Sequence, residues 1–204
     1  ADKLRRTLLA LWNHAAELNF IAPPSQRLRG PKKPKGEPAA WTVAEIGLIL
    51  WAARSITHPK CRTLAGVPFG EFLHALIWLA YNSGLRINAI MLIRRRDVDV
   101  TSRRLSVPWH NQKDKEAQTV TLKAETVDAL LPILAGQQPD DLVFGGWPFD
   151  RKATQWPALN LALRKAVVAA GLAPTIQDVS RRDLWHKFRR SFATHLYRQT
   201  HDIE

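Results

Sequence analysis

The chain has 204 residues, 46% of them hydrophobic and 24% charged, which is a globular balance sufficient for one main domain with a small appendage. No apolar run approaches the roughly 20 residues of a membrane helix, and the amphipathic opening lacks a cleavable small-residue site, so neither a membrane partner nor a secretory leader is expected. Cys61 is the only cysteine, which excludes an internal disulfide and a cysteine zinc cluster, while 30 Lys and Arg against 18 Asp and Glu make a polyanion the expected partner.

Leu4, Leu8, Leu11, Trp12, Ala15 and Leu18 repeat at helical spacing, so residues 1–22 read as the last helix of a preceding domain. Residues 23–40 form a Pro-rich basic linker carrying Arg27, Arg29, Lys32, Lys33 and Lys35, suited both to tether two domains and to lie along a phosphate backbone. A second domain, 41–204, begins at Thr42, an N-cap with Glu45 three residues on and Trp41 placed to staple against Ile46.

Helices are predicted over "AEIGLILWAARS", over "GEFLHALIWLAYNS" ending at Gly84, and over "INAIMLIRR", with Arg86 at the join of the last two. Alternation in "RRLSV" and "QTVTL" then predicts an antiparallel hairpin whose long polar connection, "PWHNQKDKEA", lies near a ligand. A helix interrupted at Pro132, a short extended segment in "DDLVFGGWPF", a helix closed by Gly171 and a final helix from Arg182 or Asp183 complete the domain. The fold class is α+β, mainly helical with a small antiparallel sheet, and most of the eight tryptophans are expected in the core. No internal repeat, metal-ligand cluster, glycine-rich phosphate loop or G-x-S-x-G turn is present, and no cofactor is expected.

The final helix carries "HKFRRSFATHL". Trp185, Phe188, Phe192 and Leu196 share one face, expected to meet the core. His186 and Arg189 flank that stripe, with small Ala193 one turn on leaving room for a ligand, while Arg190 points further round towards solvent or DNA. A cation at the edge of a core requires a counter-charge. Either a carboxylate satisfies Arg189 or an anionic substrate does, and Asp183, the closest acid in sequence, falls on another part of the helix.

"YNSGLRINAIMLIRRRDVDVTSRRLSV" and "HKFRRSFATHL" together resemble the catalytic domain of the tyrosine recombinases, the phage integrase family, from roughly Trp41 to Glu204. The resemblance implies that Arg86, His186 and Arg189 are catalytic, with Lys113 the lysine of the hairpin loop and Lys115 its alternative. Lys115, Arg190 and the basic residues of the linker would then contact DNA. It further implies site-specific recombination of double-stranded DNA through a 3′-phosphotyrosyl link, without metal or external energy, by a homotetramer when complete, with a bacterial or phage protein acting in the cytoplasm at the nucleoid.

Two arginine forks suit the charge that develops on a phosphate, a lysine can protonate the leaving 5′-oxygen, and a histidine can position or deprotonate the attacking group. Two positions depart from the family pattern: Ala89 stands where an acidic residue is usual, and Arg190 where a histidine is usual. Tyr81 and Tyr197 are assigned to packing or surface, so the nucleophilic tyrosine is expected beyond Glu204, in a part of the gene not included in this sequence. The competing expectation is an integrase-derived DNA-binding module without catalysis.

Overall fold

The computed structural model describes residues 2–22, 40–58, 62–109, 116–145, 155–180 and 183–201. The chain falls into two compact units, Ala1–Glu37 and Pro38–Glu204. In the first, helix α1, Asp2–Glu17, carries the predicted apolar stripe, but Leu4, Leu8, Leu11 and Trp12 are exposed. Past the helix, the Trp12 indole N–H donates to the Ala22 carbonyl at 3.0 Å.

The second unit opens with α2, Val43–Ala53, capped as its sequence predicts: the Thr42 hydroxyl accepts from the Glu45 amide, and the Glu45 carboxylate accepts from the Thr42 amide. Trp41 and Ile46 are both buried in the main core. A small hairpin, β1 (Thr63–Leu64) with β2 (Val67–Pro68), leads into α3, Phe69–Ser83, the central helix. Twelve of its residues are buried, because α2 and two helices later in the chain pack around it.

Helix α4, Ile87–Ile90, is shorter than predicted. Past its end the Val143 amide donates to the Ile93 carbonyl at 2.9 Å, drawing the chain out of helix, and the Asp97 carboxylate accepts from the Arg94 amide at 2.8 Å at the 3-10 turn of residues 95–97. A three-stranded antiparallel sheet follows, β3 (Val98–Asp99), β4 (Arg104–Val107) and β5 (Gln118–Thr121), in that order. Leu105 pairs with Val120, so the alternating apolar positions of the two strands share the inner face.

Helix α5, Ala124–Leu134, packs on α3 and runs through Pro132, where the sequence predicts an interruption. Proline removes only one backbone bond there, close to the helix end, and buried Leu130, Ile133 and Leu134 hold the last turn on the core. Helix α6, Gln155–Ala169, ends before Gly171, whose φ of 72° reverses the chain. Helix α7, Leu184–His201, closes the fold against α3.

The tryptophans divide: Trp41 and Trp185 belong to the core, whereas Trp51 and Trp109 are exposed, contrary to the core assignment. Among the described residues no helix is long and apolar enough to cross a membrane.

Candidate functional site

The beginning of α7 is held from three sides. Ser191, fully buried, accepts from the Trp41 amide at 2.7 Å and donates to the Lys187 carbonyl at 2.8 Å. Arg164 of α6, also buried, spends its guanidinium on the carbonyls of Val179 and Ile176, which fixes the segment entering α7. Asp183 turns the chain with φ at 60° and its carbonyl accepts the Lys187 amide at 2.9 Å, so the regular helix starts one residue later than the latest predicted start. Trp185 and Phe188 are buried as the stripe predicts, but burial fades along the helix and Leu196 is 47% exposed.

Opposite this turn lies the junction between α3 and α4. Gly84 ends α3 in the left-handed region, with φ at 60°. A Cβ built there would stand 2.4 Å from Cδ1 of Phe192, so only glycine fits beneath that ring. One turn before Phe192 on α7, Arg189 donates from Nη1 to the Gly84 carbonyl at 2.7 Å. Two residues beyond Gly84, half-buried Arg86 is the N-cap of α4, and its carbonyl accepts the amides of Ala89 and Ile90. The segment bearing Arg86 and the side chain of Arg189 are thereby fastened to one short stretch of backbone. Arg189's partner is a neutral carbonyl, and among the described residues no ion pair reaches the guanidinium.

A cavity of about 430 Å³ opens here, lined by Asp183, His186, Arg189, Arg190 and Ala193. Ala193 leaves the space its small size suggests. Arg190 is half-buried, and its Nε is buried without a partner. Asp183 does not stand apart from the arginines: the left-handed turn at its α-carbon brings it into the wall they share.

Arg190 and Asp183 also line a neighbouring cavity of about 490 Å³. There the Lys187 ammonium sits 3.2 Å from the centre of the Trp41 ring. Burial lowers the Lys187 pKa, Glu45 acts to raise it, and Arg190 adds to the lowering. Further along α7, the Tyr81 hydroxyl and His195 Nδ1 lie 2.8 Å apart, so Tyr81 links α3 to α7 as a packing residue. Tyr197 is exposed.

Lys113 and Lys115 lie outside the described residues, as do Arg27, Arg29, Lys32, Lys33 and Lys35. The pairing of Val107 with Gln118 sets the two ends of the predicted lysine loop side by side. No group of three His, Cys, Asp or Glu capable of holding a metal occurs among the described residues. Sequence reasoning passes over Asn88 and Asn160, which line a third cavity against His186. An asparagine on a helix surface carries no signal of its own until the chain entering α7 is placed beside it.

The sequence profile described as the phage integrase family matches residues 60–204. The chain belongs to this family. Among its relatives, "Tyrosine recombinase XerC" of Xanthomonas axonopodis pv. citri (strain 306) is 27% identical over 212 aligned residues, covering 100% of this chain and 61% of the relative. "Tyrosine recombinase XerC" of Chlamydia muridarum (strain MoPn / Nigg) is 25% identical over 183, covering 89% and 52%. The chain therefore spans between half and two thirds of the length of these relatives. A solved structure, "Crystal structure of XerA recombinase", superposes with a TM-score of 0.57 at 20% identity, covering 93% of this chain and 59% of the other. That likeness supports the integrase catalytic fold, helical with small antiparallel sheets.

Proposed function

We propose that this chain is part of a site-specific DNA recombinase and that its cavity of Asp183, His186, Arg189, Arg190 and Ala193 receives a phosphate of the DNA backbone. The observation that carries this reading is the bond from Arg189 to Gly84, which leaves a half-buried guanidinium oriented, and with no ion pair among the described residues, beside the segment of Arg86. A phosphodiester offers a counter-charge, and two planar forks match its non-bridging oxygens better than lysines would.

In the complete protein a tyrosine hydroxyl attacks phosphorus, a phosphotyrosyl bond forms, and the bond to the 5′-oxygen breaks. The phenolic proton leaves with His186 as positioning group or base, and a proton reaches the 5′-oxygen from Lys113 or Lys115. Arg86 and Arg189 hold the charge that accumulates on the non-bridging oxygens, a service whose removal costs about 10²- to 10³-fold in rate. Arg190, Lys115 and the basic linker grip neighbouring phosphates, and the division into a 1–22 helix, a 23–40 linker and a 41–204 catalytic domain belongs to the same proposal, as does assembly as a tetramer on two duplexes.

The test is salt dependence of duplex binding. Arg86→Ala and Arg189→Ala are each expected to reduce the slope of log affinity against log salt by about one. Slopes equal to wild type, with large losses of stability, would make both arginines structural and overturn the reading.

A further inference from the structure

Beside the proposed phosphate cavity lies a smaller one, of about 260 Å³, lined by Ile87, Asn88, Asn160, Asp183, Leu184, Trp185 and His186. The two share Asp183 and His186, so they adjoin across the first turn of α7. Three elements meet in the smaller one: Asn88 comes from α4, Asn160 from α6 and Trp185 from α7.

Its polar groups have hydrogen-bonding capacity to spare. Trp185 is 6% exposed, and its indole N–H is buried without a partner. Asn88 is exposed and Asn160 half-buried, and neither side-chain amide bonds to another of the described residues. A buried donor left unpaired carries its full desolvation cost, so the Trp185 indole N–H calls for a ligand or water to complete it, and the two amides beside it are open to the same occupant. The required ligand has both donors and acceptors, because each amide offers one of each and the indole adds a donor. A phosphate, which only accepts, fits this set poorly, because it leaves both amide oxygens without a donor and meets no arginine or lysine among the residues that line this cavity. The edge of a nucleobase fits, adenine above all, since its adjacent acceptor and donor match one asparagine amide.

We infer that Asn88 and Asn160 read the base pair next to the phosphate held by Arg189, making this part of the domain a determinant of site choice. The inference rests on the phosphate assignment above and adds to it a base-specific contact.

The experiment uses the 204-residue chain, a pool of randomised DNA duplexes, and selection of the retained sequences for wild type, Asn88→Ala and Asn160→Ala. Neither side chain is in the core, and thermal melts of each variant confirm that it folds. Wild type is expected to prefer a base at one or two positions, and each variant to relax that preference by about 5- to 150-fold while holding the others. Equal weakening on every sequence, an unchanged preference, or wild-type retention without any preference would each overturn the inference while leaving the phosphate reading intact. Failure of wild type to retain any duplex would refute both readings.

Discussion

Replacing Gly84 with alanine tests the joint on which the proposed site depends. The substitution adds one carbon in two unfavourable circumstances. First, φ at 60° costs an L-residue about 1–2 kcal/mol relative to glycine. Second, the new Cβ would stand 2.4, 2.9 and 3.1 Å from Cδ1, Cε1 and Cγ of Phe192, so the ring must retreat by about an ångström. Overpacking of this kind costs about 1–3 kcal/mol. The sum, about 2–5 kcal/mol, corresponds to a fall in Tm of about 4–20 °C for a chain of this size. Phe192→Ala removes the obstructing ring. In that background Gly84→Ala should cost only the backbone part, and a double-mutant cycle should return a coupling of about 1–3 kcal/mol. Urea unfolding of the four proteins supplies the values. A Gly84→Ala loss below about 0.5 kcal/mol, or the same loss in both backgrounds, would refute the claim that Phe192 and Gly84 are in enforced contact.

Other consequences are as direct. Thr42→Ala removes the hydroxyl that caps α2 and should cost about 1 kcal/mol in urea unfolding, whereas Thr42→Ser should cost little. Thr126→Val leaves the Asn82 amide, now donating to Thr126 at 2.7 Å between two buried residues, without its acceptor, so a loss of about 1–3 kcal/mol is expected and an unchanged midpoint would contradict it. His74 is lowered to about 4 by burial first and by Arg54 second, while the Trp78 indole donates to its Nε2. Because the unfolded chain takes up that proton near pH 6.5, His74 contributes stability that is present above 6.5 and lost as pH falls towards 4. His74→Gln should weaken that pH dependence, which stability curves at several pH values would reveal. Finally, Arg190→Ala should weaken binding to all duplexes about equally, and a loss confined to some sequences would contradict its assignment to the backbone.

Much of this architecture is legible in the sequence where the determining interaction is local. The Thr42 and Glu45 box, the glycine ending α3 and the alternation of β4 and β5 are all set by neighbours a few residues apart or by a period of two. Features decided by distant partners are harder to read. Nothing in "INAIMLIRR" announces that Asp97 and the paired backbone of Ile93 and Val143 will end the helix early. Pro132 signals a break, yet burial of the residues around it outweighs one lost bond.

The site shows the same division. His186 and Arg189 stand out by their spacing, and Arg86 by its place after Gly84. The tie between Arg189 and the Gly84 carbonyl depends on the packing of α7 against α3, which no local pattern encodes. The expected position of Asp183 fails for a related reason: a helical projection does not extend to a residue with left-handed backbone.

The bond from Arg189 to Gly84 spans 105 positions of the chain, and that from Trp41 to Ser191 spans 150. Closing loops of that length is entropically costly, so such contacts reward the chain only when its two ends have met. A ribosome-bound chain emerging from its N-terminus exposes the basic linker and Arg86 well before α7 is synthesised. During that interval the Gly84 carbonyl has no guanidinium to accept from. The tie between Arg189 and the Gly84 carbonyl therefore forms in one late step, with the docking of α7, once the rest of the domain is in place to receive it.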